Sequence, residues 1–356
     1  MAKKLKKSSS TQIDALVDQF NKKYGKHAGS KGNLQRPLKS IPTGILALDF
    51  ALGTGGWVRG YCHGVYGPRD IGKSSIIGLN AIREAQQMGL TCAIVAVEPG
   101  FDAAWAEKHG VDTSQLLIVR PETGEEAFAM LHEIVSSGAV DMVIFDSIGA
   151  LLSESEIDED GKMKVGGQAG LITWGVKRIA PIAYRNECTV IYLNQIRDKM
   201  AAKQAGSVQQ PGGHAIEHTE ATIVRLRPGQ FKNRYTIKVS GDDILIGREL
   251  LALVERNKLS EGSGHKAVFD FYQMETEDYP FGVDHVSDVL NTGKRTGVIK
   301  ARGAWLDLPD GSSHNGFKAA GIYLAEHPEA VGLIRDGVLT VMLQSNSKTT
   351  LEVVGE

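Results

Sequence analysis

From about residue 41 onward, short apolar runs alternate with stretches whose apolar positions recur every three or four residues. The runs are Gly64–Tyr66, Cys92–Val97, Leu116–Val119, Val140–Phe145 and Cys188–Leu193, and the helical stretches between them fall near 74–88, 124–136 and 168–184. Runs that are apolar throughout mark strands covered on both faces. Strands separated by helices predict an α/β fold with a mainly parallel twisted sheet and helices on either side. After 221 strands dominate (Ala221–Leu226, Tyr235–Ser240, Leu250–Glu255, Ala267–Tyr272), which predicts an antiparallel extension of the same sheet. From about 281 short helical segments return at Val286–Leu290 and Gly316–Glu326, as in a small α+β unit. Ahead of the sheet, Ile13, Leu16, Val17 and Phe20 stand at helical spacing in 11–24, and 25–39 reads as a linker. The organisation expected is a basic arm over 1–40, a core over 41–280, a small unit over 281–343 and a loosely held polar tail over 344–356.

Composition narrows the class. Of 356 residues 42% are apolar and 23% charged, an ordinary balance for a globular protein, and no apolar run approaches the ~20 residues needed to cross a bilayer. The basic start is followed by Ser and Thr rather than an apolar signal core. Cys62, Cys92 and Cys188 are the three cysteines and are widely spaced, which argues against a disulfide framework or a zinc site. A reducing, cytoplasmic compartment is the expectation. The net charge of −2 hides an asymmetry: residues 1–40 carry ten Lys and Arg against two Asp. Such an arm attracts phosphate backbones or an acidic surface, although a solvated tail over 1–10 fits equally.

Gly67-Pro68-Arg69-Asp70-Ile71-Gly72-Lys73-Ser74 fits the pattern G-x4-G-K-[ST] directly between a strand and a helix, with Ser75 following. Glycines there let backbone N–H groups curl around phosphate oxygens, and the helix start adds positive potential. Lys73 would reach the β- and γ-phosphates of a nucleotide, and the Ser74 hydroxyl would ligate Mg²⁺. Asp146 ends the apolar strand 140–145, where a phosphate-loop fold places its metal-side carboxylate; capping of the next turn is the simpler alternative. Glu98 ends another strand and is a candidate for activating water, but a lone strand-end glutamate is more often merely solvated. Two glycine-containing polar regions, 153–170 with Lys162 and Lys164 and 197–213 with Lys199, have the cations to follow a sugar-phosphate backbone; plain surface loops would look similar.

In order and wording these segments resemble the bacterial and phage RecA recombinases. Thr43-Gly44, Leu48-Asp49 and Gly53 to Gly56 precede the phosphate loop as they do in that family. Val97-Glu98 with Phe101-Asp102, Ser137 to Ser147, Leu193 to Arg197, Gly303-Ala304-Trp305 and His327-Pro328-Glu329 follow in the family's sequence. The resemblance runs from about 11 to 343. It implies a RecA-type phosphate-loop ATPase core with a short N-terminal helical arm and a small α+β C-terminal domain. The function implied is a DNA-dependent ATPase using ATP and Mg²⁺, which assembles as a helical homo-oligomeric filament on single-stranded DNA and pairs it with homologous duplex DNA.

By the same resemblance Glu98 activates the attacking water, and Asp102 and Trp105 contact the adenine. Gln195 senses the γ-phosphate. Arg256 and Lys258 reach the nucleotide of a neighbouring subunit, and 11–24 packs on the adjacent protomer. Thr173, Lys177, Arg178, Arg197, Lys199, Gly212 and Gly213 are the nearest matches to DNA-contacting positions. Several residues depart from the family pattern: Arg69, Asp70 and Ile71 inside the phosphate loop, Pro99-Gly100 after Glu98, Gly170 in place of an arginine for which Lys162 and Lys164 would compensate, and His218 in place of an interface aromatic. Two other readings share these motifs, a ring-forming helicase-like ATPase and an ATP-locked DNA-coating factor.

Overall fold

The structure, a computed structural model, describes residues 2–25, 28–31, 38–98, 100–151, 167–195, 213–229, 234–239, 242–261 and 264–353. A small two-stranded sheet pairs β1 (Ser40–Ile41) with β2 (Trp57–Val58). The large sheet is built from β3 (Cys62–Gly67), β4 (Cys92–Ala96), β5 (Leu116–Val119), β6 (Met142–Asp146), β7 (Thr189–Gln195), β8 (Thr222–Pro228), β9 (Arg234–Val239), β10 (Asp242–Asn257), β11 (Lys266–Tyr272) and β12 (Gly282–Val283). Its order is β12-β11-β10-β8-β3-β7-β6-β4-β5, with β9 paired to β10. Strands from β8 through β3 to β5 run parallel, and β9 to β12 extend the sheet antiparallel, as the apolar runs predict.

The unbroken apolar strands owe their composition to burial on both faces. Ile94, Ile144, Ile191 and Leu193 belong to one core, while Val95, Val143, Phe145, Val190 and Tyr192, their neighbours along each strand, belong to the other. Period-two alternation therefore sorts side chains between two apolar layers rather than between core and water. On the second face lie α5 (Gly124–Ser137), whose start Thr123 caps by accepting from Glu126 N at 3.2 Å, and α6 (Gly167–Asn186). On the first lies α3 (Asn80–Gln87), which continues the helical turns after the phosphate loop.

Sequence pattern did not reveal α2 (Leu46–Leu52). It is short, almost wholly buried, and lacks an exposed face to generate a period. Its first N–H groups are capped from far away: Asp288 Oδ2 accepts from Leu46 N at 2.5 Å and Oδ1 from Ala47 N at 3.0 Å. Asp288 lies on α8 (His285–Thr296), the first element of the C-terminal unit. There a three-stranded sheet, β13 (Lys300–Arg302), β14 (Trp305–Asp307) and β15 (Ser313–Asn315), packs with α9 (Gly316–Glu326) and α10 (Pro328–Val353). Leu46 shares a core with Leu290, Ile299, Leu306, Leu324 and Ile334, so the small unit is seated on α2. Two boundaries differ from expectation. At the front, α1 spans Ala2–Tyr24 rather than 11–24, and at the back α10 crosses 343 and continues to Val353. Among the described residues no helix is long and apolar enough to cross a membrane.

Candidate functional site

The chain leaves β3 at Gly67 and turns through two left-handed residues, Asp70 (φ 55°) and Gly72 (φ 95°), into a helix over Lys73–Leu79 wound in π register. A Cβ on Gly67 would stand 2.7 Å from Leu226 O, and one on Gly72 2.3 Å from Ile76 Cδ1, so both positions need glycine. The unusual residues of the loop divide by burial. Ile71 is buried in the core beneath the loop, while Arg69 and Asp70 stand exposed on its rim. Lys73 is 8% exposed, and its Nζ donates to Gly67 O at 3.2 Å and Pro68 O at 2.7 Å. Burial lowers its pKa while Asp146 and Glu98 act in the opposite sense.

Because β3, β7, β6 and β4 are adjacent and parallel, their C-terminal ends deliver four groups to one place. Gly67 is level with Gln195, and Asp146 with Ala96, two residues before Glu98. Asp146 accepts from the Ser74 hydroxyl; burial raises its pKa, and the neighbouring Glu98 adds to the rise. Glu98 Oε1 accepts twice, from Ser147 Oγ at 2.6 Å and from Gln195 Nε2 at 2.9 Å. Gln195 Oε1 in turn accepts from Arg69 Nε at 3.1 Å. Ser147, buried and directly after the strand-ending aspartate, closes a segment that matches the family but was given no role of its own from the sequence.

Next to this polar end lies an apolar one. Two adjoining cavities of about 300 and 550 Å³ share Ser74, Ser75, Glu98 and Asp146, and the first continues to Leu79, Ile82 and Trp105. Trp105 belongs to α4 (Ala103–Lys108), which Asp102 caps by accepting from Trp105 N at 3.1 Å. Its indole N–H donates to Ser75 Oγ at 3.0 Å, and its ring meets His109 and Phe281 edge-on. Lys108 Nζ sits 4.1 Å from the Phe281 ring centre. Burial pushes His109 down to about 4, so the imidazole in this aromatic corner is neutral at physiological pH. Phe281, at the far end of the antiparallel strands, carried no signal in the sequence.

Other expected residues stand apart. Arg256 pairs with Ile223, which is level with Gly64, so it lies two strands away from β3 and three residues short of the phosphate loop. Its Nη1 donates to Glu217 O at 2.6 Å, and Lys258 Nζ to His218 O at 2.6 Å, both carbonyls of α7 (Gly213–Thr219). Glu220, just after α7, is buried against Gly64, where a Cβ would stand 2.2 Å from its carboxylate; burial pushes its pKa up to about 8. On α6, Thr173 is half-buried while Lys177 and Arg178 are exposed, with the Arg178 guanidinium 4.6 Å from the Trp174 ring centre. Residues 167–170, expected in the first polar loop, are the opening turn of α6, and Gly213 opens α7. Lys162, Lys164, Arg197, Lys199, Gly212 and Pro99 lie outside the described residues. No cluster of three or more His, Cys, Asp or Glu suited to a metal occurs among the described residues.

Comparison with known proteins bears on the whole chain. The family described as the RecA N-terminal domain matches residues 11–271. Protein RecA of Bartonella henselae is 32% identical over 324 residues, which cover 89% of this chain and 88% of the relative. Protein RecA of Thermus aquaticus is 31% identical over 341 residues, 95% of each chain. That of Lactobacillus acidophilus is 32% identical over 343 residues, 95% of this chain and 89% of the relative.

Proposed function

The chain belongs to the RecA family, and on that premise we propose how its own residues carry out the ATP-hydrolysing DNA recombination and repair that the family performs. The nucleotide is ATP with Mg²⁺. Phosphates would lie in the loop from Gly67 to Ser75, the adenine toward Asp102 and Trp105, and Ser74 and Asp146 would hold the metal. The observation that carries this is the convergence of Lys73, Ser74, Asp146, Glu98 and Gln195 at the ends of adjacent parallel strands, where open α/β sheets bind ligands. One hydroxyl and one carboxylate suit Mg²⁺, which keeps much of its shell as water and phosphate oxygen. When bound, it would neutralise charge on the phosphate oxygens.

Lys73 leaves the carbonyls of Gly67 and Pro68 and donates to phosphate oxygens. Glu98, carrying its negative charge at Oε1 between Ser147 and Gln195, orients the attacking water and takes its proton. Gln195 ends the strand that leads into the second loop, so displacement of its amide couples the nucleotide to 197–213. Arg256 and Lys258 act on the nucleotide of an adjoining copy, which requires them to exchange the α7 carbonyls for phosphate. The face of α1 that exposes Ile13, Leu16 and Phe20 supports packing of the arm on that neighbour. Single-stranded DNA follows the regions 153–170 and 197–213 with Thr173, Lys177 and Arg178, its bases left free to test a homologous duplex by pairing. The three thiols are free and buried, which suits a reducing cytoplasm.

Electron microscopy of the protein on single-stranded DNA with a slowly hydrolysed ATP analogue tests the proposal. Extended helical filaments that require the analogue are expected; closed rings, or single copies on the DNA whatever the nucleotide, overturn it.

A further inference from the structure

Arg69 is one of the residues that departs from the family pattern, and its place in the site is specific. Its Nε donates to Gln195 Oε1 at 3.1 Å, while Gln195 Nε2 donates to Glu98 Oε1 at 2.9 Å. A guanidinium can only donate and a carboxylate can only accept, so the two partners dictate which end of the Gln195 amide faces which. Without Arg69 the amide would be tethered at its nitrogen alone, by Glu98, and could swing about that single hydrogen bond. Ser147, the other donor to Oε1, reaches Glu98 from the end of β6 and exerts no hold on Gln195.

We propose that Arg69 is a positioning residue that fixes the Gln195 amide against Glu98 and thereby ties the phosphate loop to the strand end leading into the second loop. The inference rests on the nucleotide-site assignment above. The carboxylate needs its hydrogen-bond donors fixed to hold the water in one orientation, and the second loop needs Gln195 anchored to transmit the presence of DNA. Arg69 serves both through a single amide, from an exposed position where its removal leaves the core untouched.

The test measures kcat and KM for ATP with and without single-stranded DNA in the wild type, Arg69→Ala, Arg69→Lys, Gln195→Ala and the Arg69→Ala/Gln195→Ala pair. Arg69→Ala is expected to lower the DNA-stimulated kcat about tenfold, the scale of one charge-assisted hydrogen bond, with KM within about threefold. Arg69→Lys, which keeps a charged donor, restores part of the loss. In the Gln195→Ala background the Arg69 substitution has no additional effect. A raised KM with kcat intact would make Arg69 a simple phosphate ligand and overturn the inference. So would additive losses in the double variant. Failure of the wild type to hydrolyse ATP at all would instead sink the nucleotide-site assignment.

Discussion

Glu98 stands two residues past the end of its strand and is exposed, so nothing about its burial marks it as reactive. Its neighbours do: a serine hydroxyl and a glutamine amide converge on a single carboxylate oxygen. Glu98→Gln keeps an acceptor for Ser147 but cannot take a proton. DNA-stimulated phosphate release should fall by about 10²- to 10⁴-fold, with affinity for a fluorescent ATP analogue nearly unchanged. Near-normal turnover would place the proton elsewhere. At this scale the phosphate loop was legible because its spacing is itself the chemistry, and Asp146 because it closes an apolar run. Ser147, Phe281 and Glu220 were not legible. Their roles depend on which distant residue they meet, and the buried Glu220 carboxyl exists only because Gly64, far back in the sequence, leaves it room.

Among the elements, α5 and α6 approach so closely at Gly175 that a Cβ there would stand 2.3 Å from the Phe128 ring, which is stacked on Phe145. Gly175→Ala should cost about 1–3 kcal/mol in denaturant unfolding, since the ring must shift and give up part of its stack on Phe145. An unchanged midpoint would mean that the two helices can part. The parallel strands could be read from the chain because a short run that is apolar at every position needs cover on both faces, which helices flanking a sheet provide. By contrast α2 escaped because burial on every side erases its period. Its cap was equally hidden, lying on α8. Asp288 is 3% exposed and burial pushes it up to about 6, and Asp49 on α2, which accepts from Thr43 N, up to about 7. Both groups bind protons more readily folded than unfolded. Their contribution is therefore fully present below the ordinary carboxylate range and is lost as pH rises toward 6 and 7. Relative to Asp288→Asn, the wild type should lose stability between pH 4 and pH 7, on the order of 1–3 kcal/mol. Unfolding curves of the two proteins with a constant difference across that range would contradict the assignment.

At the scale of the whole molecule, the small C-terminal unit packs on the ATPase body through α2, and the proposed assembly would divide each nucleotide site between adjoining copies. The strands bring Lys73, Glu98, Asp146 and Gln195 together, but they leave Arg256 and Lys258 facing α7 within their own copy. The proposed division of labour comes from the family resemblance alone; spacing in the sequence could not have supplied it. A site shared between copies makes assembly and hydrolysis one event. The most direct test mixes two inactive proteins in equal amounts on single-stranded DNA and measures ATP hydrolysis. One is Lys73→Ala, with intact cations for its neighbour; the other is Arg256→Ala/Lys258→Ala, with an intact phosphate loop. Random assembly in one head-to-tail polymer should restore about a quarter of the interfaces, and activity should rise well above the sum of the separate proteins. Activity no greater than that sum, from a mixture that still coats the DNA, would mean that each copy completes its own site.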